Sequence, residues 1–132
     1  MKDIKQAQLM LILSRRDLKA VQNMTDTERF DDAIFGFHAQ QTVEKALKAW
    51  LSFRGLFYHK THDLRVLFLL IEETDKGQTK QFFDLVDLMD FAVEYRYDIF
   101  DDEPIERDKI LAEVMALVEF VDKLIHKRED KV

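Results

Sequence analysis

Almost nothing in this chain stops a helix. Its 132 residues hold three glycines, Gly36, Gly55 and Gly77, and one proline, Pro104. A β-rich chain needs many turns built from those two residues. Between the breakers, apolar residues recur at steps of three and four, the period that gathers side chains on one face of an α-helix. The pattern predicts an all-α fold, a bundle of four to five helices. Short links favour antiparallel neighbours in an up-and-down order. The length suits one domain spanning residues 1–132. Such a chain buries roughly two-thirds of the surface its unfolded form exposes, so it needs no staple to hold a core.

The first helix is expected over about 3–23, with Ile4, Ala7, Leu11, Ser14, Leu18 and Val21 on its inner face. A second is expected from near Glu28 to Arg54, capped by Thr25 or Asp26. Its stripe runs through Phe35, Ala39, Val43, Ala46, Trp50 and Phe53 and is widened by Ile34, Phe37, Leu47 and Leu51. So wide a stripe implies a central helix with neighbours on several sides. Gly36 inside it costs about 1 kcal/mol against alanine, which points to close approach of another element. Gly55 reads as a left-handed cap. Thr61 reads as the N-cap of a helix over 62–74. DKGQT breaks the chain, and a helix over 79–95 follows with Phe82, Val86, Met89 and Val93 inward. After an acidic loop at 98–103, Pro104 opens the last helix, where its missing N–H is harmless. That helix buries Ile110, Val114, Leu117, Val118, Val121 and Ile125, and His126, Lys127 and Arg128 suit the negative end of its dipole. No internal repeat or low-complexity segment is evident.

Composition removes several classes of function. There is no cysteine, which excludes disulfides, thiol chemistry and cysteine zinc sites. The net charge of −6 disfavours a strongly basic nucleic-acid binder, although local basic sets remain in Arg15 and Arg16 and in Lys45, Lys48 and Arg54. The run LMLIL at 9–13 is too short for a signal peptide, and no stretch nears the roughly 20 apolar residues of a membrane span. A cytoplasmic location and no membrane partner are expected. His38, His59 and Asp63 do not form a metal set at helical spacing, so neither metal nor cofactor is expected.

Two segments carry a family resemblance: QQ-x-x-EKALKA-x-L within 40–51 and THDL-x-x-L within 61–67, supported by EYRY at 94–97. Together they resemble the HEPN domain, named for higher eukaryotes and prokaryotes nucleotide-binding, over roughly residues 5–125. The resemblance implies a helical bundle, usually a homodimer, with one of three kinds of work. Some members are metal-independent ribonucleases of toxin–antitoxin and defence systems. Some are inactive partners of small nucleotidyltransferases. Others bind nucleotides or RNA without cutting. The ribonucleases carry an arginine, four to six intervening residues, and a histidine. Arg96 falls at the arginine's place, but Asp101, Asp102 and Glu103 stand where the histidine belongs, and His126 is thirty positions on. A formal match, Arg54-GLFY-His59, lies elsewhere, at the joint after the second helix.

The missing histidine matters chemically. Cleavage by the 2′-hydroxyl needs a proton acceptor and a positive group for the developing phosphate charge. Arginine supplies only the second. The expectation is therefore a catalytically inactive module that binds nucleotide or RNA, or that partners a small nucleotidyltransferase. The alternative is a ribonuclease toxin of a HEPN/nucleotidyltransferase pair, with Asp101 or Asp102 as base. A third possibility is a purely structural assembly protein. Candidate ligand contacts are Arg96 with Tyr95, Tyr97 and Asp98, where a tyrosine would stack on a base. Lys45 and Lys48 are candidates for a phosphate face.

Each candidate has a structural counter-reading. Arg96 would close a helix against Asp98, Asp101 or Glu103. Glu44 and Lys48 would form an i,i+4 pair on a solvated face. Gln40 and Gln41 would be satisfied inside the bundle or at a dimer seam. His62 would bond a neighbouring helix while Thr61 or Asp63 caps its own. Phe35, Phe37, Trp50, Phe53, Phe57, Phe82 and Phe83 read as core.

Overall fold

The structure, a computed structural model, describes residues 2–58, 60–91 and 105–126. Among them lie four α-helices and one 3-10 helix, and no strand: α1 (Ile4–Gln22), α2 (Asp32–Arg54), α3 (Leu64–Glu72), the 3-10 helix Lys80–Phe91, and α4 (Arg107–His126). This is the helical bundle expected from the sequence. No helix among the described residues is long and apolar enough to cross a membrane.

The central helix is α2, as its wide stripe implied. Phe35, Ala39, Val43, Ala46, Leu47, Trp50 and Leu51 are fully buried. Each buried Phe or Leu contributes roughly 1.5–3 kcal/mol. Helix α1 lies antiparallel to α2: the Asp3 N–H donates to the Ser52 carbonyl at 2.9 Å, and the Ser14 hydroxyl to the Thr42 carbonyl at 2.8 Å. Helix α1 also opposes α4, with Arg15 beside Glu119 and Asp122 and Gln22 beside Met115. The Trp50 and Phe120 rings meet 4.9 Å apart and join α2 to α4.

Two glycines do what the sequence required. Gly55 takes φ 72° and closes α2, its N–H reaching the Ser52 carbonyl. Gly36 has the Phe91 ring against it, so that a β-carbon there would overlap the ring. The approaching element is the end of the 3-10 helix.

Three boundaries differ from expectation. Helix α2 begins at Asp32, four residues later than Glu28. The Asp26 carboxylate instead accepts the Glu28 N–H at 2.9 Å, and the carbonyls of Met24, Asp26 and Phe30 accept from the buried Arg107 guanidinium. The guanidinium gathers these carbonyls into a loop, within which the Phe30 N–H also reaches the Asp26 carbonyl at 3.1 Å, and α2 starts after it with Asp31 as N-cap. Helix α3 begins at Leu64 because Asp63 caps it through the Arg65 N–H at 2.9 Å; Thr61 accepts from Asp63 one step earlier. Helix α4 begins at Arg107; Pro104 lies outside the described residues, as do Val93, Lys127 and Arg128. Ile110, expected inside, is half-buried at the edge of the core.

The segment expected as an α-helix over 79–95 is a 3-10 helix over Lys80–Phe91. Such runs rarely exceed three or four residues. Here the sequence repeats in threes, FFD-LVD-LMD-F, a short repeat that steps of three and four had concealed. With three residues per turn, Phe82, Leu85, Leu88 and Phe91 form one buried row, while Asp84, Asp87 and Asp90 form another. Before it, Gly77 at φ 81° turns the chain, and the Glu72 carboxylate accepts the Gly77 N–H at 2.8 Å and the Thr79 hydroxyl at 2.7 Å. Those two bonds, the hydroxyl first, hold the Glu72 carboxyl below the usual range.

Candidate functional site

Among the described residues the bundle buries one carboxylate deeply, Glu44 on α2, with 4 % of its side chain exposed. A bare charge there would be very unfavourable. Four groups surround it. The Lys48 ammonium donates at 2.9 Å from the next turn. The Gln40 amide donates at 3.2 Å from the preceding turn and also reaches the His62 carbonyl at 3.2 Å. Gln41 donates to the Gln40 side-chain oxygen at 2.8 Å. The fourth is His62 in the α2–α3 connection, whose Nδ1 lies 2.9 and 3.1 Å from the two Glu44 oxygens. Beside an ammonium the carboxylate is the acceptor, so Nδ1 carries the proton and Nε2 is left as the outward nitrogen.

The spacing of Gln40, Glu44 and Lys48, four residues each, puts all three on one face of α2. The same face carries Gly36, one turn earlier. Tyr58 and His62 of the α2–α3 connection lie along this face, His62 beside Glu44, while Asp75, beyond α3, lies beside Trp50 and Arg54. Tyr58 completes the layer: its ring lies 5.9 Å from the Lys48 ammonium and its hydroxyl 3.4 Å from Ser52. No buried polar side-chain atom among the described residues lacks a partner.

The imidazole itself is 76 % exposed. Glu44 can therefore do two things at once: neutralise Lys48 inside, and hold a surface histidine in one tautomer and orientation. A ring placed this way can accept a proton at Nε2, or donate to an anion once protonated. Nearby, Phe57 is 77 % exposed, and Lys60 and Arg65 are exposed on either side of His62. A cavity of about 450 Å³ lies beside Phe57 and Tyr58, bounded by Asp3, Gln6, Ser52, Gly55 and Leu56.

The residues singled out from the sequence fall as follows. Lys48 does pair with Glu44, but in the interior rather than on a solvated face, because the α2–α3 connection covers that face. Lys45 points the other way, to Asp17 of α1. The two lysines are thus not brought together. Gln40 and Gln41 are satisfied within the bundle, and His62 bonds the neighbouring helix, as expected. Arg54 of the chance arginine–histidine spacing is tied to Asp75 at 2.8 Å. His59, Tyr95, Arg96, Tyr97, Asp98, Asp101, Asp102 and Glu103 lie outside the described residues. Phe57 and Phe83, grouped with the core aromatics, are exposed instead: the chain has already left α2 at Gly55, and the three-residue period of the 3-10 helix puts Phe83 outside the row Phe82, Leu85, Leu88 and Phe91. The Glu44–His62 contact had a sequence signal: both motif segments contribute one partner, eighteen positions apart.

A second hollow, about 730 Å³, has the opposite character. Asp84, Asp87, Asp90, Glu106 and Glu113 line it with Lys109 over a floor of Leu85, Leu88, Phe91, Ile105 and Ile110. Phe91 and Ile105 flank residues 92–104, the segment that carries Arg96.

An all-α bundle with a buried glutamine–glutamate–lysine set under an exposed histidine is the class these features define. The HEPN domain model matches residues 7–125, nearly the whole chain, and the chain belongs to that family. Neither a curated protein nor a solved structure matches it.

Proposed function

We propose that this chain is a HEPN-type binding module for nucleotide or RNA that does not cut RNA by the family's arginine–histidine chemistry. The observation that carries this is the sequence at Arg96: the arginine stands at the family's position, and Asp101, Asp102 and Glu103 occupy the histidine's place. Arginine keeps its charge and its phosphate geometry without a base beside it. In this proposal Arg96 contacts phosphate, Tyr95 or Tyr97 stacks on a base, and Asp98 orients the guanidinium. Lys45 and Lys48 serve by placing α1 and the α2–α3 connection, since each ammonium is held by a carboxylate. The module works as a homodimer.

A second function has its own support. The acidic hollow lined by Asp84, Asp87, Asp90, Glu106 and Glu113 repels a polyanion and suits a basic protein surface. A small nucleotidyltransferase is the partner the family supplies for that role.

The test combines thermal shift with nucleotides, fluorescence anisotropy with RNA, and a cleavage assay on transfer and messenger RNA, each for wild type and Arg96→Ala. Binding without cleavage, weakened by Arg96→Ala, is expected. Cleavage that disappears in Arg96→Ala would establish the ribonuclease instead. A monomer that shifts with no nucleotide, no RNA and no nucleotidyltransferase would end both readings.

A further inference from the structure

His62 combines exposure with a ring held by a buried carboxylate. Its ring is 76 % exposed, so it adds little apolar burial, yet both Glu44 oxygens pin its Nδ1. Glu44 does not need it: Lys48 and Gln40 already supply a charge partner and a donor. What the contact achieves is to fix where Nε2 stands. A fixed exposed imidazole is useful to something outside the chain.

The surroundings indicate what. Lys60 and Arg65 sit two residues before and three after His62, both exposed, and neither pairs with a carboxylate among the described residues. The carboxylates on this face are engaged: Asp63 caps α3 through the Arg65 N–H, and Asp3 caps α1 through the Gln6 N–H. Phe57 adds a largely exposed aromatic ring beside the 450 Å³ cavity. Ser52, at that cavity, is eight residues beyond Glu44 along α2, which is about 12 Å. Two aromatic rings at one end and three basic side chains after them suit single-stranded nucleic acid, whose bases stack while its phosphates meet positive charge.

We propose that Phe57, Tyr58, Lys60, His62 and Arg65 form a binding surface for single-stranded RNA, with His62 contacting a phosphate through Nε2 and Glu44 as its positioning residue. The surface presupposes the nucleotide- or RNA-binding function proposed above, and it is separate from Arg96. Phe57 and Tyr58 hold a base at the cavity; Lys60 and Arg65 follow the backbone.

The experiment is anisotropy with a fluorescein-labelled oligouridine across a salt series. Lys60→Ala combined with Arg65→Ala makes the log–log salt slope shallower by about 1.4, two single-strand phosphate contacts. Phe57→Ala weakens binding roughly fivefold to a hundredfold. His62→Gln weakens it about tenfold, as loss of a charge-assisted hydrogen bond does. Glu44→Gln weakens it less and changes the tautomer signature of His62 in nitrogen-15 NMR, a readout that mere loss of packing would leave alone. Lys76→Ala with Lys123→Ala removes the same charge from other exposed positions and leaves binding near wild type. If wild type binds and the His62 and Lys60/Arg65 variants match that control, this surface is wrong while the binding function stands. If Arg96→Ala alone abolishes binding, the conclusion is the same. If wild type binds neither RNA nor nucleotide, both proposals fall together.

Discussion

Arg107 and Glu44 are both buried charges, and they are used in opposite ways. The Arg107 guanidinium gives its hydrogen bonds to one stretch of chain: to the Met24, Asp26 and Phe30 carbonyls and to Asp32, at 2.6–3.3 Å. Its ring contact is Phe35, 5.3 Å away. It ties the start of α4 to the α1–α2 loop and ends there. Glu44 is satisfied inside by Gln40 and Lys48, but its third partner is an exposed ring. A buried charge whose partners all lie in one neighbouring stretch of backbone, Met24 to Asp32, fixes that stretch. One whose last partner is at the surface carries that order outward, where a ligand can use it.

The contrast breaks first at Arg107. Arg107→Ala removes the donor to three loop carbonyls and to the half-exposed Asp32, and is expected to lower stability by about 3 kcal/mol, the upper end for hydrogen bonds to a charged group. Urea denaturation measures it; a loss under 1 kcal/mol would mean that the loop repairs itself with water. Gly36→Ala comes next. Its gain in helix propensity, about 1 kcal/mol, is smaller than the strain of moving the Phe91 ring, so a net loss of roughly 1–2 kcal/mol is expected. A more stable variant would show that the 3-10 helix yields easily. Glu44→Gln keeps the shape and leaves the Lys48 charge buried without its partner; about 1–3 kcal/mol is expected, read by the same denaturation series.

Acid sharpens the comparison at a third ionic cluster, between α1 and α4. Burial raises the Asp122 pKa, but hydrogen bonds from Arg15 and His126, with their charges, outweigh it and hold the carboxyl below its usual range. The unfolded state therefore takes up the proton first as pH falls. The contribution is present above about pH 4 and is lost as pH drops through the folded value. Asp122→Asn should flatten the acid limb of a stability–pH curve; an unchanged limb would assign the limb to other carboxylates. The smallest effect is at the surface end of the Glu44 network. His62→Gln should change stability by no more than about 0.5 kcal/mol, because the ring is exposed. A larger loss would make His62 another inward clamp, like Arg107.

Much of this was legible before any coordinates. The stripe of α2, the cap at Gly55 and the close approach at Gly36 follow from period and from residues with one physical use. The candidate site was half legible. The motif segments marked Glu44, Lys48 and His62, and a hydrogen bond from His62 to a neighbouring helix was expected. That the partner is Glu44, and that Lys48 is covered rather than solvated, depends on where Tyr58 and His62 of the α2–α3 connection lie, which no local pattern specifies. The triplet FFD-LVD-LMD-F was visible but ambiguous, since steps of three also occur on an α-helix.

By itself, then, the sequence determined an all-helical bundle around α2 and membership of its family, because helical period and the scarcity of breakers act locally. The tertiary structure decided where α2 starts, through Arg107 reaching across from α4, and which lysine is buried. It also decided that His62 is held by a buried carboxylate while its ring stays exposed. Those outcomes turn on residues far apart in the chain competing for the same donors and acceptors, and only packing settles that competition.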